Sequence, residues 1–193
     1  ETDLSAVSAK TRVDATLHIL DVLGVELAGV STPPAEIALD YCKRLGVATE
    51  ASIWGTHLKA SVSTAAFANG LLAHALDFDD WDAFIHVGHP TSMLIGAALP
   101  LAEKIGASGK DLLKAYVLGI EVICKIAANC PNVQDRGFHS TPVFGSFGAA
   151  IACASLLKLD AAKLKAALGI TASAAGGIHR QQGSMVKPFH AGN

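Results

Sequence analysis

Charge is scarce in this 193-residue chain: Asp, Glu, Lys and Arg together make up 17% of it, against 51% hydrophobic types, and the net charge is -2. With so few cations there is no basic stripe to neutralise a phosphate backbone, which excludes nucleic acid as a partner. The four cysteines, Cys42, Cys124, Cys130 and Cys153, form no C-x-x-C pair. A chain this long needs no disulfides for stability, so a reducing compartment, the cytoplasm or another of that kind, is expected. No basic patch followed by a short apolar run marks a secretory signal, although the first residue is Glu1, so a processed or trimmed start stays open. Residues 140 to 157, STPVFGSFGAAIACASLL, lack charge altogether. Their proline, two glycines and four hydroxyl side chains, without flanking basic residues, fit a buried helix better than a membrane span.

Runs of alternating β-branched residues are also missing, while apolar residues recur at helical spacing almost throughout. The sequence therefore predicts an all-α fold in one domain, with helices over 5–29, 34–46, 62–77, 91–106, 109–130, 142–157 and 160–175. STPPAE ends the first helix and supplies a proline for the next, and Ser108 and Asp160 stand where N-caps belong. Segments such as GAALPLAEK and GAAIACAS are rich in small residues, which predicts closely packed helices.

One internal repeat is visible. His89 opens HPTSMLIGAALPLAEKIGASGKDLLKAYVLGI, and fifty residues on His139 opens HSTPVFGSFGAAIACASLLKLDAAKLKAALGI, with Thr91 matching Thr141 and Leu118-Gly119-Ile120 matching Leu168-Gly169-Ile170. Each unit reads as a helical hairpin entered through a histidine just before a helix N-terminus, where free N–H groups favour a carboxylate or phosphate.

Polar chemistry is concentrated in HALDFDDWDAFIHVGHPTS, residues 74 to 92, which holds four aspartates and three histidines. Asp77, Asp79, Asp80 and Asp82 follow a helix C-terminus, whose dipole disfavours them, so compensation is expected. A solvated loop is the plain reading. A magnesium-diphosphate site would want an acid at position 83, which is Ala83, and has no second acidic cluster downstream; His86 and His89 lack a third zinc ligand at a recognised spacing. Metal is disfavoured on both counts. GGIHRQQGSMVKPFHAGN, residues 176 to 193, gathers His179, Arg180, Lys187 and His190, with Lys187 biased away from α geometry by the proline after it. Together they suit a polycarboxylate, whereas His179 and Arg180 are equally ordinary as surface residues.

The segments FANGLLAHALDFDD, GHPTS, KDLLKAYVLGIEV, GFHSTPVFGSFGAA and GSMVKPFHAGN, in that order, resemble the 2-methylcitrate dehydratase, or MmgE/PrpD, family over nearly the whole chain. That family includes 2-methylcitrate hydro-lyases, cis-aconitate decarboxylases and iminodisuccinate epimerases. The resemblance implies a helical domain interrupted by a smaller α/β lid, of which residues 1–193 would be the N-terminal part, without the lid and without the returning helices. It implies catalytic roles for Asp77, His89, His139 and Lys187, with Lys187, Trp81 and His190 at the substrate; Trp81 stands where many relatives carry threonine. It also implies a homodimer, a small polycarboxylate substrate, and no cofactor or metal.

Chemistry of this kind removes a proton or carbon dioxide beside a carboxylate, so it needs a base, a proton donor and cations against the carboxylates. One histidine would be the base and the other the acid, Asp77 would fix a histidine's tautomer or raise its basicity, and Lys187 would pair with a substrate carboxylate. A hydro-lyase of the 2-methylcitrate dehydratase type is the leading expectation, with decarboxylase and epimerase as alternatives. A noncatalytic helical interaction module and a metal-dependent diphosphate enzyme are the readings from other classes, and the chain by itself is expected to be an incomplete enzyme.

Overall fold

The computed structural model describes residues 3–46, 48–82 and 84–193. Among the described residues eight α-helices follow one another: α1 (Ala9–Gly29), α2 (Pro33–Arg44), α3 (Val62–His74), α4 (Pro90–Ile105), α5 (Gly109–Ala128), α6 (Ser140–Leu156), α7 (Ala161–Ala174) and the single turn α8 (Phe189–Gly192). Between α2 and α3 a minimal antiparallel pair, β1 (Ala51–Ser52) and β2 (Lys59–Ala60), places Ala51 opposite Ala60. Most helix starts obey local chemistry. Ser8, Ser61, Ser108 and Asp160 each accept a hydrogen bond from the backbone N–H three residues on. At Ser108 the Asp111 carboxylate returns the bond, completing a capping box.

The expected helices are all present, and the differences lie at their ends. The first helix begins at Ala9, after a separate 3-10 turn at Leu4–Ala6, because Ser8 caps it there. The third stops at His74 rather than at residue 77, since Asp77 adopts φ 57°, a left-handed conformation that cannot continue a helix. α6 begins two residues early, directly after His139.

α3 and α4 form the centre. α3 is apolar around its circumference and mostly buried, with Leu71 and Leu72 fully enclosed. Its backbone meets α4 at Gly70 and Gly96, where a Cβ on Gly96 would fall 2.7 Å from the Gly70 Cα. A similar approach joins α5 to α6, where a Cβ on Gly119 would lie 2.9 Å from the Gly148 carbonyl oxygen. Small residues thus let four helices pack at backbone contact around Leu94, Ile95, Tyr116, Ile123 and Phe144. A second cluster (Ala35, Cys42, Ile53, Leu72) seats α2 and the strand pair on α3, and a third (Ala98, Ala115, Ala152, Leu156) closes the far ends of α4 to α6. Among the described residues no helix is long and apolar enough to cross a membrane.

Candidate active site

The segment between α3 and α4, the start of α6 and the residues around α8 converge on one buried polar cluster. Its middle is His74, the last residue of α3, which is 1% exposed. The turn at Asp77 folds the chain back so that Asp79, also buried, receives the His74 Nδ1–H at 3.0 and 2.9 Å on its two oxygens. His89, the residue before α4, places Nδ1 3.3 Å from both the Asp79 backbone carbonyl oxygen and an oxygen of the same carboxylate, and Nε2 3.4 Å from Asp77 Oδ1. Lys187, 7% exposed, donates to Asp77 Oδ1 from the far end of the chain.

His139 caps the approach to α6 and is buried, its ring 6.1 Å from that of His74 and nearly parallel to it. Its Nδ1 lies 3.0 Å from Nδ1 of His190 in α8, so one ring donates and the other accepts a single shared proton. The two histidines of the internal repeat thus occupy equivalent positions before α4 and α6. They are tied together, because the His89 N–H donates to Thr141 Oγ1 at 3.0 Å. Gly88 allows this approach: at φ 93° it has the left-handed conformation, and a Cβ there would sit 2.4 Å from Thr141 Oγ1.

The acidic residues that oppose the α3 dipole are each compensated, and differently. Burial alone would raise the Asp79 pKa, yet the hydrogen bonds and charges of His74 and His89 outweigh it and hold the carboxyl below its usual range. Asp77, more exposed, likewise feels burial pushing it up and, more strongly in sum, Lys187, His89 and His74 pulling it down. Asp80 is raised, chiefly by burial. It accepts the Thr91 N–H at 3.1 Å and the Thr91 hydroxyl at 2.7 Å, and Thr91 Oγ1 lies 2.7 Å from the buried Tyr116 hydroxyl. The N-terminus of α4, where an anion was expected, is therefore filled by the chain's own Asp80. Asp82 accepts from the N–H groups of Phe84, Ile85 and Val87 and shapes the loop.

The two site histidines are driven apart. For His89, burial favours the neutral ring, but Asp79 and Asp77 prevail over burial and over Lys187 and raise its pKa. For His139, burial and the nearby cations push the pKa down to about 3, so that ring is neutral at physiological pH. His190 is lowered as well, by burial and by His74. A ring that keeps its proton more readily thus stands across His74 from one held neutral.

Four expected site residues, Asp77, His89, His139 and Lys187, are brought together, and His190 joins them through His139. Trp81 is placed otherwise: it is 60% exposed and faces a cleft of about 520 Å³ with His18, Phe84, Tyr116 and Val117, on the far side of Asp80. His86 is exposed, and His179 and Arg180 lie in a 3-10 turn with no ion pair among the described residues. His74 and Asp79 are the residues that sequence reasoning did not assign. Asp79 was visible in the acidic run and His74 among the three histidines of that stretch, but neither was given a partner or a role. His74, Asp77, Asp79 and His89 bring ligand atoms within 4.8 Å of one another, a spacing a cation could bridge. In this arrangement the Asp79 carboxylate faces the Nδ1 atom of His74, and the Lys187 ammonium pairs with Asp77.

The MmgE/PrpD N-terminal domain model matches residues 1–193. The human cis-aconitate decarboxylase is 35% identical over 182 residues, covering 91% of this chain and 37% of that protein, and the mouse enzyme is 34% identical over the same length. A cis-aconitate decarboxylase-like protein, oryM, of Aspergillus oryzae is 31% identical over 173 residues, covering 85% of the chain and 36% of that protein. The chain thus spans little more than a third of these relatives' length. A motif series, a helical fold and a family match over every residue agree: the chain belongs to the MmgE/PrpD family.

Proposed function

We propose that this chain carries the proton-handling half of a metal-independent lyase acting on a small di- or tricarboxylate, and that its reaction is decarboxylation of cis-aconitate or a close analogue. The observation that carries the chemistry is the opposed bias of His89 and His139 around a lysine-carboxylate pair. Loss of carbon dioxide leaves the electron pair of the broken C–C bond on carbon, conjugated to a neighbouring carboxylate. That charge is met by a cation and quenched by a proton. Lys187 would exchange Asp77 for a substrate carboxylate, His89 would deliver the proton from Nε2, and neutral His139, with His190 behind it, would hold or accept one. The decarboxylase branch is preferred to the 2-methylcitrate hydro-lyase because the relatives above are named for it. The lid, the returning helices and a homodimer belong to this reading.

The test uses the full-length protein with cis-aconitate, 2-methylcitrate and iminodisuccinate, with and without chelator. Carbon dioxide release from cis-aconitate that a chelator leaves unchanged is expected. His139→Ala should lower kcat at least about 100-fold, the scale of general acid-base catalysis, with the helical circular dichroism intact. Turnover of 2-methylcitrate alone would restore the hydro-lyase, and full turnover by the His139 variant would remove the assignment.

A further inference from the structure

We propose that Asp79 is the carboxylate that orients His89, and that His74 is a positioning residue which sets how much of that carboxylate's charge His89 receives. The site's proposed acid thus depends on two residues that need never touch substrate.

Asp79 is enclosed; its carboxylate takes the His74 Nδ1 hydrogen bond at 2.9 and 3.0 Å and lies 3.3 Å from His89 Nδ1, which stands equally close to the Asp79 backbone carbonyl oxygen, so carbonyl and carboxylate together face that ring edge. Both rings are thereby held with hydrogen on Nδ1, and both turn Nε2 the other way. Asp77 cannot do this, because it faces the opposite, Nε2 edge of His89 and is already paired with Lys187. His74 has no evident packing reason to be polar. It ends an apolar helix, its Nε2 is buried without a hydrogen-bond partner among the described residues, and its ring stands edge-on to His89 at 4.7 Å. An apolar side chain would fill the space and leave no orphan nitrogen. What the histidine adds is its bond to Asp79. One carboxylate then serves two donors, and the shorter bond to His74 draws off charge that would otherwise bind the proton of His89 more tightly. The other ionisable groups facing His89 are Asp77 from the same loop, Lys187 from the segment before α8, and His139 from α6.

The experiment is titration of the histidine ring signals of full-length protein carrying carbon-13 at Cε1, with the His89 signal identified by its loss in His89→Gln. Removing a charge-assisted bond changes such a midpoint by roughly one pH unit. His74→Phe should raise the His89 midpoint by about that amount, and Asp79→Asn should lower it by about as much. His74→Asn, which returns one N–H to Asp79, should restore it to within a few tenths. Should Asp79→Asn not fold, the opposed behaviour of His74→Phe and His74→Asn decides alone; should Phe not be accepted at 74, His74→Met takes its place. An unmoved midpoint in these variants, or a fall in His74→Phe, overturns the proposal.

The activity readout rests on the lyase reading, in which His89 acts as the acid. The alkaline limb of kcat against pH should then move with the titration. Midpoints that shift while no carboxylate turns over would refute the lyase reading and leave the Asp79 arrangement standing. Turnover with unmoved midpoints would do the reverse.

Discussion

Glu26 lies on the inner face of α1, 1% exposed, with Oε1 lacking a hydrogen-bond partner among the described residues. Burial pushes its pKa from 4.5 to about 8. The folded chain then holds a proton that the unfolded chain releases between those values, so stability is fully present below about pH 4.5 and is lost as pH rises towards 8. At pH 7 the unfolded carboxyl is ionised and the folded one mostly neutral, which destabilises the fold by about 3 kcal/mol relative to a group that does not titrate. Glu26→Gln keeps the shape and one polar oxygen while abolishing the titration. Urea unfolding of both proteins from pH 4.5 to 8 should give curves that nearly meet at the acid end and diverge to about 3 kcal/mol by pH 7, the variant being the more stable. Parallel curves across the range would show that Glu26 is ionised and paired in the folded protein, and the burial argument would fail.

Gly70→Ala would place a Cβ 2.2 Å from the Ala191 carbonyl oxygen, forcing α8 off α3 and taking His190 with it; kcat should fall more than melting temperature does, as measured side by side. Thr91→Val strips the Asp80 carboxylate and the Tyr116 hydroxyl of a shared partner and should cost about 1–3 kcal/mol in chemical unfolding, with an unchanged value refuting the buried network.

The helical skeleton was legible because its signals are local: serine and aspartate caps, a proline pair and apolar spacing need no knowledge of distant residues. Gly70 and Gly96 read only as members of small-residue helices, and their pairing across α3 and α4 is a tertiary fact. Lys187, His139 and Asp77 stood out as polar groups in an apolar chain, and the family motifs put them in one cleft. His74 was counted among those polar groups, but its partner was not identified. Its link to Asp79 spans five residues, which on a continuing helix would face different sides, so the contact exists only because the chain turns at Asp77. A left-handed aspartate leaves little trace in sequence. The role expected of Asp77, fixing a histidine's tautomer or raising its basicity, named no ring edge, and in the structure Asp77 faces Nε2 of His89. The minimal strand pair was missed because two residues per strand make no alternating pattern.

The pairing of Asp77 with Lys187 joins residues 110 positions apart. A ribosome adds about 5 to 20 residues each second, so the acidic loop waits on the order of 5 to 20 seconds after its own synthesis before its cation exists. During that interval α3 and α4 can already pack through Gly70 and Gly96, and Asp79 and Asp80 can already meet His74 and Thr91, while Asp77 still lacks its lysine. The scaffold can thus mature ahead of the site, and the arrival of one lysine marks the moment at which a helical intermediate gains the charge balance of the finished cleft.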